Sequence, residues 1–550
     1  MKLSALIKAI DPIGVRPFAA ERIEQRAKRK DKSDHALYEM SDGDLMKVDI
    51  ESIYYRAQEV QAGTMFVAIE GQNADGHDFM HQALRNGAVA IVAQKEPPQP
   101  YLTECLAQAV HPQPILIRVS DTRKAMADLA AKIFGHPSER MTVIGITGTN
   151  GKTTVAYLVE SILLQAGFKT GVIGTINYRF AGNVFNNPMT TPESLDLQRI
   201  LAQMLDEGVT HVVMEASSHA MDQYRIRNCW LDVAVYTNLS QDHLDFHGDM
   251  ESYWSSKKSL FTDYLTRGPK KDKAVAVINC DDDHGNQLAS DLPVRVIKTG
   301  AVSGSEIKAE KFQCRLVGTA GKVATHEGGF DFKTPLVGTH NVENILNAAG
   351  VGVALNLAPS IIKDGIEALA AIPGRLENIE SNTGRYVYVD YAHTPAALEN
   401  AVAAIREIAP ARIVCVFGCG GDRDRQKRPL MGEIAARLCD LAVVTSDNPR
   451  SEEPLVIIEQ ILEGVRQAGG VEYSSRDLAS GFVQKGYVVE PDRRRAIELG
   501  ISASRPDDAV LIAGKGHETY QILGATTINF DDREEARRVL QGLNSNTGRV

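Results

Sequence analysis

The stretch Val143-Ile-Gly-Ile-Thr-Gly-Thr-Asn-Gly-Lys-Thr-Thr154 ends a short apolar run in glycines, a lysine and two threonines, with a helical pattern after them. Those residue types in that order can hold phosphate. Glycine lets backbone N–H groups close around an anion, and the following helix adds its positive end. Lys152 can reach terminal phosphates, and the Thr153 hydroxyl suits Mg²⁺. The expected ligand is ATP or a close relative. Ile146 stands where the usual loop spacing has its first glycine, so Gly148-Thr149-Asn150-Gly151-Lys152-Thr153-Thr154 is a tighter variant.

Further polar groups follow apolar runs. Glu215 ends Met214-Glu215 and could hold Mg²⁺ from the carboxyl end of a strand. Thr237 to His247 carries Asp242, His243, Asp245 and His247 after another strand. Lys257 and Lys258 lie in a helical stretch, Tyr253 to Phe261, and by pattern alone read as a solvated face. Later clusters are Asp390-Tyr-Ala-His393, Gly418 to Arg423, Asp447-Asn-Pro-Arg450 and Gly514-Lys-Gly-His-Glu518.

The elements that must position these groups alternate. Strands are expected at 65–69 and 88–92, then at 142–147, 170–174, 210–215, 231–236, 274–279 and 293–298. Helices are expected at 152–166, 194–207 and 251–265. A last region has strands at 386–390, 412–417, 440–445 and 509–513, with helices at 395–408, 428–438 and 455–468. Apolar strands separated by helices predict mostly parallel sheets covered on both faces. The fold class is therefore α/β with three domains. Residues 1–111 form a smaller N-terminal α/β domain, ending after the break Lys95-Glu-Pro-Pro-Gln-Pro100. Residues 112–372 form a central doubly wound domain with the phosphate loop, and 373–550 a Rossmann-like domain. The charged segment Arg22 to Lys32 reads as surface helix or loop.

A chain of 550 residues with 43% hydrophobic and 24% charged residues suits several packed domains. The net charge of −10 argues against nucleic acid as a partner. Seven dispersed cysteines suggest a reducing compartment rather than a disulfide framework. The N-terminal stretch is too short and interrupted for a signal peptide, and no run is apolar enough to insert into a membrane. A cytoplasmic monomer is expected.

Taken together, Gly148 to Thr154, Thr237-Asn-Leu with Asp242-His-Leu-Asp245, Asn341 to Ala349, Gly374-Arg-Leu-Glu377 and Asp390-Tyr-Ala-His-Thr-Pro395 resemble the Mur ligases over nearly the whole chain. These are ATP-dependent amide-bond ligases that build the peptidoglycan stem peptide. Asp447-Asn-Pro-Arg450 resembles the motif of the branch that adds meso-diaminopimelate. A guanidinium binds the extra carboxylate of that amino acid with two parallel hydrogen bonds, so Arg450 would select it over lysine.

The resemblance implies roles residue by residue. Gly148 to Thr154, Asn344 and Asp390 would contact ATP, with Lys152 on its phosphates. Thr153, Glu215, His243 and Lys257 would serve Mg²⁺, Lys257 after carbamylation, which replaces the solvated reading of that lysine. Lys152, Glu215, His243 and Lys257 are the catalytic candidates. Thr190, Thr191, Ser217, Gln223 and Arg225 would contact the UDP-linked muramoyl dipeptide. Arg423, Asp447, Asn448, Arg450, Gly514 and Glu518 would form the amino-acid pocket. His393 and Glu518 are candidates for a general base. The N-terminal domain resembles the UDP-binding domain through Gly63 to Ala68 and Asp75 to Phe79, but Tyr55 stands where the family has serine, and could stack on uracil or reach it with its phenol. Extra sequence around Gln467 to Gly486 reads as a surface insertion.

The implied reaction phosphorylates a carboxylate with ATP, after which an amine displaces phosphate. The alternatives are a lysine-adding ligase of the same family, folylpolyglutamate synthase, and a phosphate-loop NTPase switch.

Overall fold

A computed structural model describes residues 1–17, 45, 47–71, 74–96, 114–326, 328–408 and 410–547. The segment Arg22 to Lys32, Cys105 and the expected boundary at 111 lie outside the described residues. Two compact units are present. One comprises Met1–Lys152, Gly167–Ile278 and Asp282–Ile297; the other comprises Thr153–Ala166, Asn279–Asp281 and the chain from Lys298 onward.

The first unit holds two sheets. The smaller joins β1 (Pro12–Pro17), β2 (Ile53–Tyr54), β3 (Met65–Val67), β4 (Ala90–Ala93) and β5 (Ile115–Val119) in the order β1-β5-β4-β3-β2. Strands β2 to β5 run parallel, and β1 pairs antiparallel at the edge. Met65, Val67, Ala90 and Val92 enter one core, and Phe66, Ala68, Ile91 and Ala93 enter another. With both faces covered, these strands are apolar throughout rather than alternating.

The larger sheet joins β6 (Thr142–Thr147), β7 (Thr170–Ile173), β8 (Tyr178–Phe180), β9 (Asn183–Phe185), β10 (His211–Glu215), β11 (Val233–Tyr236), β12 (Val275–Asn279) and β13 (Arg295–Thr299). Their order is β13-β12-β11-β6-β10-β7-β8-β9. Strands β7, β10, β6, β11 and β12 are parallel. The chain fills one side of β6 with β7 and β10, then crosses to the other side with β11. Sheets of this kind bind ligands at the carboxyl ends beside such a crossing. The hairpin β8–β9 was not expected from sequence. It extends the edge antiparallel and is held by stacked rings, Tyr178 on Phe185 at 4.8 Å and Phe180 on Phe185 at 5.3 Å.

The second unit begins with an antiparallel sheet of β14 (Lys308–Arg315), β15 (Gly318–Thr325) and β16 (Gly328–Thr334), also unexpected. Only alternate residues of β16 are buried, Phe330, Phe332 and Thr334. One-sided strands give a weak signal in a charged segment. The main sheet joins β17 (Glu377–Ile379), β18 (Tyr386–Asp390), β19 (Ile413–Phe417), β20 (Leu441–Val444), β21 (Val471–Glu472), β22 (Gly486–Val489) and β23 (Ala509–Ala513) in the order β17-β18-β23-β19-β20-β22-β21. All but β17 run parallel. Its faces also sort by alternation. Tyr388, Cys415, Phe417 and Leu511 face one core, and Val387, Val414, Val416 and Ile512 the other.

The α/β class is as expected. Gln467 to Gly486 lies mostly at the surface, as expected, but it is not a free loop. Its middle packs Leu478 and Phe482 into the core beside Val414 and Ile497, and the Arg412 guanidinium lies 4.0 Å from the Phe482 ring centre. Two apolar side chains thus anchor a segment whose other residues are mostly polar. Among the described residues no helix is long and apolar enough to cross a membrane, and the six described cysteines are free thiols.

Candidate active site

Strand β6 delivers the phosphate loop, and β11 delivers the segment that clamps it. Gly148 has φ of 144° and Gly151 has φ of 87°, conformations that favour glycine. A Cβ at Gly148 would also overlap the Thr237 hydroxyl just beyond β11. Asn238 accepts from the Thr149 amide with its carbonyl and from the Asn150 amide with its side chain, both at 2.9 Å. Thr237 donates to the Asn150 carbonyl at 2.6 Å. The motif Thr237-Asn-Leu is therefore a structural partner of the loop.

Two lysines converge on one backbone oxygen. Lys152 Nζ and Lys257 Nζ each donate to the Gly148 carbonyl at 2.9 Å. Lys257 is 2% exposed and lies 4.1 Å from the Tyr253 ring centre. Burial, then the neighbouring Lys152, holds its amine well below the usual lysine range. The solvated-face reading fails here and holds for Lys258, which keeps a surface ion pair with Asp291 at 3.6 Å. The physical difference is helix rotation. Adjacent residues lie about 100° apart, so one lysine turns inward and its neighbour does not.

Glu215 ends β10 and is 1% exposed. Its carboxylate accepts from the Thr175 amide at 3.0 Å and the Thr175 hydroxyl at 2.9 Å. A Cβ at Gly174 would overlap this carboxylate and displace it. The residues assigned to the nucleotide-linked substrate gather around this point. Thr175 and Thr190 hydroxyls lie 3.1 Å apart. Thr191 donates to the Glu215 carbonyl at 2.8 Å and accepts from the Ser217 amide at 3.2 Å. Arg225 donates to the Thr191 carbonyl at 3.1 Å and to Gln223 at 2.6 Å. Glu193 and Arg123 were missed by sequence reasoning. Glu193 lies 3.2 Å from Arg225 and 2.9 Å from Arg123, and a lone charge after a proline gives no periodic signal. Tyr55 donates its phenol hydrogen to Asp196 at 2.6 Å, and the Arg56 guanidinium lies 5.1 Å from its ring centre, so both the hydroxyl and the ring have partners within the protein.

His243 has φ of 54°, and its Nε2 lies 3.5 Å from the Asp242 carboxylate. Burial lowers its pKa against the pull of Asp242. Its ring stands 4.9 Å from His219, whose own pKa burial lowers to about 4. Among the described residues no three His, Cys, Asp or Glu side chains form a ready metal group. The oxygen donors of Glu215 and Thr153 suit Mg²⁺ in kind, whereas Lys257 suits it only once its amine has gained an oxygen function.

A separate constellation lies in the second unit. Asp390 ends β18 and accepts from the Leu376 amide at 2.7 Å and the Ala392 amide at 2.8 Å. Burial raises its pKa, and Arg375 opposes the rise. Arg375, not singled out from sequence, also donates to the Thr153 hydroxyl at 3.4 Å. Asn344, on the helix Thr339–Ala354, bonds Asn341 at 3.0 Å. His393 bonds the Tyr391 carbonyl through Nδ1 at 2.9 Å, and burial lowers its pKa.

Loops after β19, β20 and β23 bring together a charged cluster. Lys515, which sequence reasoning quoted but did not single out, contacts Asn448 Oδ1 at 3.0 Å, Glu518 Oε2 at 3.2 Å and Asp447 Oδ1 at 3.4 Å. Gly514 has φ of 117°. Arg450, with φ of 52°, donates to the Gly421 carbonyl at 2.9 Å. The Arg423 and Arg450 side chains flank Gly420, where a Cβ would meet Arg450 Nη1 at 3.0 Å and Arg423 Cγ at 3.8 Å. The structure thus brings together all six residues assigned to the amino-acid pocket.

Comparison with known proteins covers both constellations. Residues 49–133 match the Mur ligase family catalytic domain, 146–352 the Mur ligase middle domain, and 374–516 the Mur ligase glutamate ligase domain. The UDP-N-acetylmuramoyl-L-alanyl-D-glutamate–2,6-diaminopimelate ligase of Geobacter metallireducens is 45% identical over 503 residues, covering 92% of this chain and 96% of that protein. The ligase of the same name from Geobacter sulfurreducens is 44% identical over 536 residues, 98% of each chain. A solved structure of a ligase with that name superposes with a TM-score of 0.63 at 28% identity, over 96% of this chain and 99% of the other. With three matching domains in order and likeness along nearly its whole length, the chain belongs to the Mur ligase family.

Proposed function

We propose that the protein is an ATP-dependent ligase that joins meso-diaminopimelate to UDP-N-acetylmuramoyl-L-alanyl-D-glutamate. The observation that carries this reading is the 44% identity to a ligase of that name over 98% of both chains. ATP phosphorylates the free carboxylate of the dipeptide. The amine of the incoming amino acid attacks the acyl carbon, the amide bond forms and phosphate departs. Transferring a phosphoryl group to a carboxylate brings negative charges together, and Lys152 offsets that repulsion. Thr153, Glu215, His243 and Lys257, the last as a carbamate, would hold Mg²⁺, which supplies charge neutralisation at the phosphates. The low pKa of Lys257 supports this role, because a neutral amine adds to carbon dioxide and an ammonium does not.

The N-terminal part of the chain, with the sheet of β1 to β5, is assigned to the UDP-linked substrate, the part that follows it up to 372 to ATP, and 373–550 to the amino acid. Gly148 to Thr154, Asn344 and Asp390 serve ATP, and Tyr55, Thr190, Thr191, Ser217, Gln223 and Arg225 serve the UDP-linked substrate. Arg423, Asp447, Asn448, Arg450, Gly514 and Glu518 serve diaminopimelate. The protein works as a cytoplasmic monomer. Arg450 favours diaminopimelate over lysine, since lysine has no distal carboxylate for a guanidinium to grip.

The test supplies ATP, Mg²⁺ and the UDP-muramoyl dipeptide with either diaminopimelate or lysine, and follows the product by mass spectrometry. Product with diaminopimelate alone is expected. Equal use of lysine overturns the specificity, and ATP hydrolysis that needs neither cosubstrate points instead to an NTPase switch.

A further inference from the structure

Lys515 is 0% exposed, on the loop that follows β23. The glycines on either side have φ of 117° and 54°. A Cβ at Gly516 would meet Tyr391 Cβ at 2.7 Å. The loop is thus confined, and its lysine is enclosed rather than solvated. Burying an ammonium is costly unless its donors are met. An ammonium has three N–H groups, and Lys515 has three acceptors, Asn448 Oδ1, Glu518 Oε2 and Asp447 Oδ1. Every donor is committed inside the protein. Lys515 therefore has no hydrogen left for a ligand, which separates it from Arg423 and Arg450 nearby.

Its effect falls on the groups around it. Asn448 Oδ1 accepts from Lys515 and from the Ile522 amide at 3.0 Å, and Nδ2 donates to Glu518 at 2.9 Å. With donors fixed on the oxygen side, the Asn448 amide has one orientation, and Glu518 is drawn to it. Asp447 and Glu518 each commit one oxygen to the lysine. Two carboxylates against one ammonium leave a single negative charge, suited to the ammonium of a zwitterionic amino acid whose carboxylate meets an arginine.

We infer that Lys515 is a positioning residue for the incoming amino acid, orienting Asn448 and Glu518 and setting the charge of the pocket without touching the substrate. The inference rests on the proposed ligase reading. It concerns only the second half of the reaction, which allows the two to be separated.

Hydroxylamine is small enough to bypass the amino-acid pocket. Its nitrogen attacks the acyl phosphate, releasing phosphate and leaving a hydroxamate, and so reports carboxylate activation alone. In Lys515→Met, kcat/KM for diaminopimelate should fall at least tenfold, chiefly through KM. Hydroxamate formation with ATP and the UDP-linked dipeptide should stay within twofold of the parent. Lys515→Arg, which keeps charge and donors, should recover part of the loss. Unchanged KM for diaminopimelate in Lys515→Met overturns the inference. So does loss of hydroxamate formation in both variants, which would make Lys515 a structural group. A parent protein that forms hydroxamate but adds no diaminopimelate keeps the carboxylate activation and overturns the choice of diaminopimelate as acceptor, and this inference with it.

Discussion

In the proposed reading, the phosphate loop and the amino-acid pocket solve recognition with different materials. Around Gly148 the recognising groups are backbone amides and carbonyls, shaped by glycines at positive φ and clamped by Thr237 and Asn238. Around Asn448 they are side chains, held in place by Lys515 and by one another. A phosphate is satisfied by N–H groups that every residue owns, so the requirement falls on backbone conformation. A zwitterion needs charges of both signs at a set spacing, so the requirement falls on side-chain identity. The first site should fail when the backbone is obstructed, and the second when a side chain loses its partner.

Matched glycine substitutions probe that contrast most strongly. Gly148→Ala drives a Cβ into the Thr237 hydroxyl at a φ of 144°, and kcat/KM for ATP should fall roughly a hundredfold or more, the scale of losing backbone stabilisation of a reacting phosphate. Gly514→Ala places its Cβ 3.5 Å from Asp447, an ordinary contact, and carries only the strain of φ 117°. Its effect should fall on the KM for the amino acid and be smaller. Equal losses for ATP in both variants would erase the distinction.

Charge without geometry is the next probe. Arg450→Lys keeps the cation but loses the planar fork, and discrimination between diaminopimelate and lysine should narrow about tenfold. Competition between the two amino acids in one reaction reads this directly, and an unaltered product ratio would remove Arg450 from the selection.

The smallest expected effect concerns acid. Burial, followed by Arg375 and Arg533, lowers the His517 pKa from 6.5 to about 4. Between those values the unfolded chain binds a proton that the folded protein refuses. Stability is therefore retained above pH 6.5 and falls as the pH drops toward 4, by at most about 3 kcal/mol. In urea unfolding, the parent should lose more stability between pH 7 and pH 5 than His517→Asn does. Equal losses would mean that the imidazole is protonated in the fold.

The two sites also differ in how legible they were. The loop at Gly148 could be recognised from residue types and order, because few sequences allow backbone to wrap an anion. The pocket could be recognised only through family resemblance, and nothing in residue type or spacing distinguishes its central lysine from the polar residues around it. Lys257 shows the same limit. Helical spacing puts it one residue from Lys258, and nothing local says which of the two faces inward. Phe482 was hidden for another reason, since a single aromatic among polar residues has no period to reveal that it reaches the core.

Local chemistry, then, dictated the strands of mixed apolar residues and the glycines that bend after them, because those depend on neighbours a few positions apart. Which lysine loses water and which carboxylates share an ammonium were settled by contacts that reach across tens of positions or more, Lys257 to Gly148 and Lys515 to Asp447 among them. Burial and charge pairing are properties of what surrounds a group, and those surroundings come into existence only when the chain has folded.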